Sequence, residues 1–156
     1  SGTSTVMQTA IGQGETLVSP MHMALITAAV ANNGILMKPY LIDRIENDSG
    51  DLVKRTQSST YKRLMSSNEA NLLGKMMRQV VTSGTASALN GRSYTVAGKT
   101  GSAEFNEQGD SHSWFVGYTN VDNPELVIAV IVENGGAGSE VAVPIAGQVF
   151  DAYYAS

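Results

Sequence analysis

Ala97 to Glu104 reads AGKTGSAE, placing a lysine and a threonine between two glycines in a stretch with strand character. Adjacent strand residues point to opposite faces. Glycine at 98 and 101 removes side chains that would keep a ligand from the backbone. A ligand lying along such a strand meets backbone N–H groups, a hydroxyl and an ammonium together. That set suits a carboxylate or a developing oxyanion. The same residues also fit a strand with two bulge glycines and one solvated lysine, and residue types alone leave both open.

Nucleotide binding is a third use of this segment, and it fits poorly. Gly98-Lys99-Thr100 matches the end of a phosphate-binding loop, but that motif needs a glycine five positions earlier, where Ser93 stands. It also needs a helix to follow, and Ser102 to Phe105 reads as strand. Gly12-Gln13-Gly14 lacks the third glycine of a dinucleotide fingerprint. His22 falls on an apolar helix and reads as a satisfied core histidine. His112 precedes Trp114 and Phe115 and is a candidate for the pocket edge beside Lys99. Two separated histidines make no metal site. Glu104 reads as an orienting or structural carboxylate. Trp114 and Phe115 are adjacent, so a strand sends one to the core and the other to the opposite face. Tyr153 and Tyr154 read as packing, and Met21, Met23, Met76 and Met77 as core filling.

The elements that must hold AGKTGSAE can be read from local signals. Ser19-Pro20 opens a helix, serine as cap and proline at the first position. Met21 to Ala31 is apolar on nearly all sides, which predicts burial, and Gly34 is placed for a left-handed C-terminal cap. Tyr40–Glu46 and Leu52–Lys54 read as short strands around the turn formers Asn47 to Gly50. Ser66 and Glu69 form a capping box, followed by Leu72, Leu73, Met76, Met77, Val80 and Val81 at helical spacing. Ser83-Gly84 ends that helix. Three strands follow, Tyr94–Phe105, Ser113–Tyr118 and Leu126–Glu133, with loops at Asn106–Asp110 and Thr119–Glu125 short enough for antiparallel neighbours. The last strand is apolar throughout and is expected to be central. A glycine loop, Asn134–Ser139, leads to a helix over Ala142–Tyr154. The expectation is an α+β fold, an antiparallel sheet flanked by helices.

Composition narrows the function classes. The 156 residues carry 10 Lys+Arg against 14 Asp+Glu, a net charge of −4, which disfavours a nucleic-acid footprint or an anionic membrane as partner. There is no cysteine, so thiol catalysis, thiolate metal sites and disulfides are excluded. Charged residues are 15%, below the usual ~25%, and 44 Ser, Thr, Asn and Gln supply an uncharged polar surface instead. The longest apolar run, Leu126–Val132, is far short of the ~20 residues a bilayer-spanning helix needs.

KTGSAE at Lys99–Glu104 resembles the third motif of the penicillin-binding protein and serine β-lactamase superfamily. AIGQGETLVSPMHMALITAAVANNG (Ala10–Gly34), VVTSGTA (Val80–Ala86), VAGKTGSAE and HSWFVGY (His112–Tyr118) are similar to stretches of class B penicillin-binding proteins, in the same order. The resemblance implies the C-terminal part of a transpeptidase domain. It implies that Lys99 and Thr100 hold the substrate's terminal carboxylate, with Gly101 beside them. The backbone N–H of Ser102 would supply half of an oxyanion hole. No cofactor or metal is implied. The implied partners are the D-Ala-D-Ala end of a peptidoglycan stem peptide, β-lactam antibiotics and the N-terminal part of the same domain, with no nucleic acid. The implied parent is membrane-anchored, with this domain on the extracytoplasmic face of the bacterial membrane.

The family also uses an SxxK and an SxN motif. Literal matches occur at Ser59–Lys62 and Ser66–Asn68, and both are rejected. A nucleophile on SxxK should open a buried helix, whereas Gln57, Ser58, Lys62 and Arg63 make this stretch polar and turn-like. Ser66 already caps a helix, a role typically worth about 1 kcal/mol. The expectation is that the nucleophile lies upstream of Ser1 and that Glu104 is no general base, because the family uses the SxxK lysine. Rival readings are a β-lactam-hydrolysing or β-lactam-sensing relative, and a non-catalytic binding module of the same fold.

Overall fold

The computed structural model describes residues 17–104 and 111–155. The Gly12-Gln13-Gly14 cue and the Asn106–Asp110 loop lie outside them.

Helix α1, Pro20–Ala31, begins as its residues dictate: Ser19 is extended and its hydroxyl accepts from the His22 N–H at 3.1 Å. It ends through Asn33 and Gly34, both at positive φ, 54° and 84°. Gly34 tolerates no side chain, since a Cβ there would lie 2.2 Å from the Met65 carbonyl oxygen. The all-round burial expected of α1 is not observed. Its buried residues are Thr27, Ala29 and Val30, all in the later turns that meet the sheet. His22 is exposed in the first turn, which corrects its reading as a core histidine.

Strand β1, Ile35–Met37, pairs antiparallel with β4, Thr60–Arg63. The polar segment expected to be turn-like is therefore a strand. Between them, β2 (Arg44–Glu46) and β3 (Leu52–Arg55) form a second hairpin. Its turn is organised by Asn47, whose side-chain oxygen accepts from the Ser49 and Asp51 N–H groups at 3.0 and 2.8 Å.

Helix α2, Ser67–Ser83, carries the complete capping box. The Glu69 N–H donates to Ser66 Oγ at 3.3 Å and the Ser66 N–H donates to Glu69 Oε2 at 2.8 Å. The Ser66 side-chain and backbone hydrogen bonds hold the Glu69 carboxyl below its ordinary pKa. A group whose folded pKa is lowered stabilises above its unfolded pKa and loses that contribution as pH falls through the folded value. Ser66→Ala also removes the helix cap itself, typically worth about 1 kcal/mol. The gap between the urea midpoints of parent and variant should narrow below the ordinary carboxylate range.

The helical spacing of α2 is as expected, and Met77, Val80 and Val81 of the expected stripe do pack inward, but its first half does not. Ala70, Gly74 and Val81 are buried, while Leu72, Leu73 and Met76 are exposed. Small residues face inward because α2 approaches the sheet closely; a Cβ on Gly74 would sit 2.8 Å from the Tyr118 hydroxyl.

The main sheet is β5 (Val96–Ala103), β6 (His112–Thr119) and β7 (Val127–Val132), antiparallel in that order. Strand β6 is central, because it pairs with both neighbours. Strand β7, expected to be central, is an edge among the described residues and half-buried along its length. On one face Ala97 and Tyr118 pack with Val30 of α1 and Met77 of α2. On the other, Val96 and Phe115 pack with Val143, Ala146 and Phe150 of helix α3, Ala142–Ala155. Phe115 is fully buried and Trp114 is not, as their adjacency requires. Tyr154 stacks on Tyr94 at 4.4 Å and donates to Thr119. The Tyr94 hydroxyl donates to Asp151 at 2.6 Å, and burial together with that carboxylate pushes its pKa up to about 12. The architecture is an antiparallel sheet with helices on both faces, the expected α+β arrangement.

Candidate active-site strand

Lys99, Thr100, Gly101 and Ser102 all lie on β5, which among the described residues has a strand partner on one side only. Which backbone groups meet that partner follows from register. The Asn120 N–H donates to the Thr95 carbonyl at 2.7 Å, and the pairing then runs without a shift from Val96–Thr119 to Ala103–His112. Hydrogen-bonded and non-hydrogen-bonded pairs alternate in an antiparallel ladder. The N–H and C=O groups of Ala97, Lys99 and Gly101 thus turn toward β6, and those of Gly98, Thr100 and Ser102 turn to the open edge.

Side chains alternate independently of this. Thr100 and Ser102 project to the α3 face and Lys99 to the opposite one. Lys99 reaches round to the edge, where its Nζ donates to the Thr100 carbonyl at 2.5 Å. Lys99 is exposed, and among the described residues no carboxylate forms a salt bridge with it. The Thr100 side chain is nearly buried, its residue 9% exposed, and its hydroxyl lies 2.6 Å from that of Thr85. Ser102 is exposed, with its hydroxyl accepting from the Gly138 N–H at 3.3 Å.

The glycines turn out to serve packing as well as access. A Cβ on Gly98 would lie 2.4 Å from the Phe115 ring, and one on Gly101 would lie 3.3 Å from Trp114 Cβ. His112 does not join the cluster. It pairs with Ala103, whereas Lys99 pairs with Val116, four residues and ~13 Å further along β6. The His112 Nδ1 accepts from the Asn134 N–H at 3.1 Å. Glu104 is exposed just beyond β5. No cluster of metal-ligating side chains occurs among the described residues.

Thr85 was not singled out from sequence. Its only signal there is its place in VVTSGTA, directly after the glycine that ends α2. Together the edge offers an ammonium, two linked hydroxyls and outward N–H groups within a few residues. That is a surface for an extended, carboxylate-bearing ligand lying beside a strand.

Known proteins share this architecture. The family model "Penicillin binding protein transpeptidase domain" matches residues 2–151. Penicillin-binding protein 2a of Streptococcus pneumoniae is 37% identical over 127 residues, 80% of this chain and 16% of that protein. Peptidoglycan D,D-transpeptidase MrdA of Haemophilus influenzae is 33% identical over 92% of this chain and 25% of its own length. The ceftriaxone acyl-enzyme complex of penicillin-binding protein A from M. tuberculosis superposes with a TM-score of 0.83 at 29% identity, covering 93% of this chain and 34% of that one. The chain thus spans a quarter or less of these two sequence relatives. With the family model covering nearly its whole length, the chain belongs to the penicillin-binding protein transpeptidase domain family, class B.

Proposed function

We propose that this chain supplies one wall of the active site of a peptidoglycan-cross-linking D,D-transpeptidase, its catalytic serine carried by another part of the same protein. The outward-facing edge of β5 carries this reading. In the reaction, that serine's oxygen attacks the carbonyl carbon of a D-Ala-D-Ala amide. The C–N bond breaks, the terminal D-Ala leaves as the amine with a proton, and an acyl-enzyme remains. An amine from a neighbouring stem peptide then attacks the ester, forms the cross-link and releases the serine. β-Lactams acylate the same serine because their ring amide and carboxylate imitate the dipeptide.

The roles of the strand follow from charge. The carboxylate that ends the substrate lies against Lys99 and the Thr100 hydroxyl, with Gly101 leaving room between them. The developing oxyanion is met by the edge-facing N–H of Ser102, an interaction that strengthens as charge grows on oxygen. Relatives named as peptidoglycan D,D-transpeptidases and β-lactam acyl-enzymes among the structural neighbours support this reading. The parent acts at the extracytoplasmic face of the bacterial membrane, where its substrate lies. Among the described residues no helix is long and apolar enough to cross a membrane.

The test is the acylation rate of the intact protein by benzylpenicillin, for parent and Thr100→Val. A hydrogen bond to a charged group is worth about 1.5–3 kcal/mol, so acylation should slow roughly 10- to 100-fold. Valine keeps the shape and strand preference, so the melting temperature should fall by only a few degrees. An intact protein that penicillin does not acylate, or losses in stability that account for the losses in rate, would sink this reading.

A further inference from the structure

We propose that Thr85 is a positioning residue for ligand-carboxylate binding, acting through Thr100; this rests on the transpeptidase reading above. A threonine hydroxyl has one proton to donate and can accept twice. A carboxylate only accepts. If Thr100 binds a carboxylate, its single proton must point at that carboxylate, and it can then only accept from Thr85. The 2.6 Å contact is thereby given a direction: Thr85 donates to Thr100, and Thr100 donates to the ligand. Such a chain polarises its last member and removes the freedom of the Thr100 hydroxyl to turn away.

The turn that carries Thr85 is built to hold it there. The N–H groups of Gly84 and Ala86, on either side of it, both donate to the Val80 carbonyl at 3.1 Å. A Cβ on Gly84 would lie 2.8 Å from Val80 Cα, so the chain folds back on α2 where no side chain fits. Ala86 is fully buried. Thr85, between these two, is exposed, so its side chain is not held in place by burial. Its hydroxyl meets that of Thr100 instead.

The experiment measures second-order acylation rates of the intact protein by benzylpenicillin and by its methyl ester, which lacks the anionic carboxylate. Parent, Thr85→Val, Thr85→Ser and Thr100→Val are compared, each with a melting curve. Thr85→Val should slow benzylpenicillin by about tenfold, the worth of one hydrogen bond of this kind, and leave the ester within about twofold of the parent. Thr85→Ser should restore most of the rate. A neutral Thr85→Val, equal slowing of both ligands, failure of serine to rescue, or a Thr85→Val protein that does not fold would each overturn the inference. If the parent itself is not acylated, the transpeptidase reading fails and this inference falls with it. If the parent is acylated and Thr100→Val is slow, a neutral Thr85→Val defeats the positioning role alone.

Discussion

Incubated alone with excess benzylpenicillin, this chain should take up no covalent adduct, while the intact protein should take up one equivalent on a serine outside residues 1–156. The argument is geometric. In an SxxK motif the lysine must meet the serine, and residues three apart share a face only on a helix. Ser59 immediately precedes β4, on which Thr60 to Lys62 lie. An extended backbone sends residues 59 and 62 to opposite sides. Ser59 is exposed, and nothing there desolvates or activates it. Ser66 is committed to its helix cap, bonded to both the carboxylate and the N–H of Glu69. Without an activated nucleophile, the proposed oxyanion donor and carboxylate clamp have nothing to assist; such groups add rate only to an attack that another group must make. Exposed Leu72 and Met76 and the half-buried edge strand β7 also predict self-association of the isolated chain. Intact-mass spectrometry and peptide mapping decide the matter. A stoichiometric adduct on any serine of this chain would falsify the placement of the nucleophile.

Gly98→Ala should unfold the site strand rather than merely block a ligand. The new methyl would sit 2.4 Å from Cζ and 2.6 Å from Cε2 of Phe115, and 2.8 Å from the Val116 carbonyl oxygen. The ring cannot yield: it is fully buried against Val96, Val143 and Phe150. It also lies over Gly117, where a Cβ would be 2.7 Å away. The carbonyl belongs to the central strand and moves only with the sheet. Overpacking typically costs 1–3 kcal/mol, and a contact with both ring and backbone belongs at or above about 3. Gly101→Ala, whose Cβ meets Trp114 Cβ at 3.3 Å, should cost about 1 kcal/mol or less. Urea unfolding of the intact protein gives the order. If Gly98→Ala unfolds like the parent but loses acylation, the glycine is there for ligand approach alone.

Local signals in the chain were enough for the helices, the β2–β3 hairpin and the chemistry-bearing strand, but not for the β1–β4 pair. Ser19-Pro20, the Ser66–Glu69 box and Asn47 act within four residues of themselves, so each specifies its cap or turn before any tertiary contact forms. AGKTGSAE offers an ammonium, a hydroxyl and an approachable backbone by residue type, which leaves its use open, and the alternation of a strand puts Lys99 and Thr100 on opposite faces wherever that strand lies. Partnership was decided only by the tertiary structure. Strand β7 is as apolar as a central strand, but β6 takes the centre because its two edges pair with β5 and β7. Leu72 and Met76 have the spacing of a core stripe, yet α2 turns Ala70 and Gly74 inward, since only small residues permit its approach to Tyr118. Sequence could not pair Thr85 with Thr100, because a hydrogen bond between residues fifteen apart exists only once α2 has folded back along β5. Nor could it reveal that Gly98 makes room for Phe115, since that ring reaches it from the neighbouring strand. Spacing along the chain fixes a residue's direction on its own element; what that direction meets depends on surfaces contributed by distant residues.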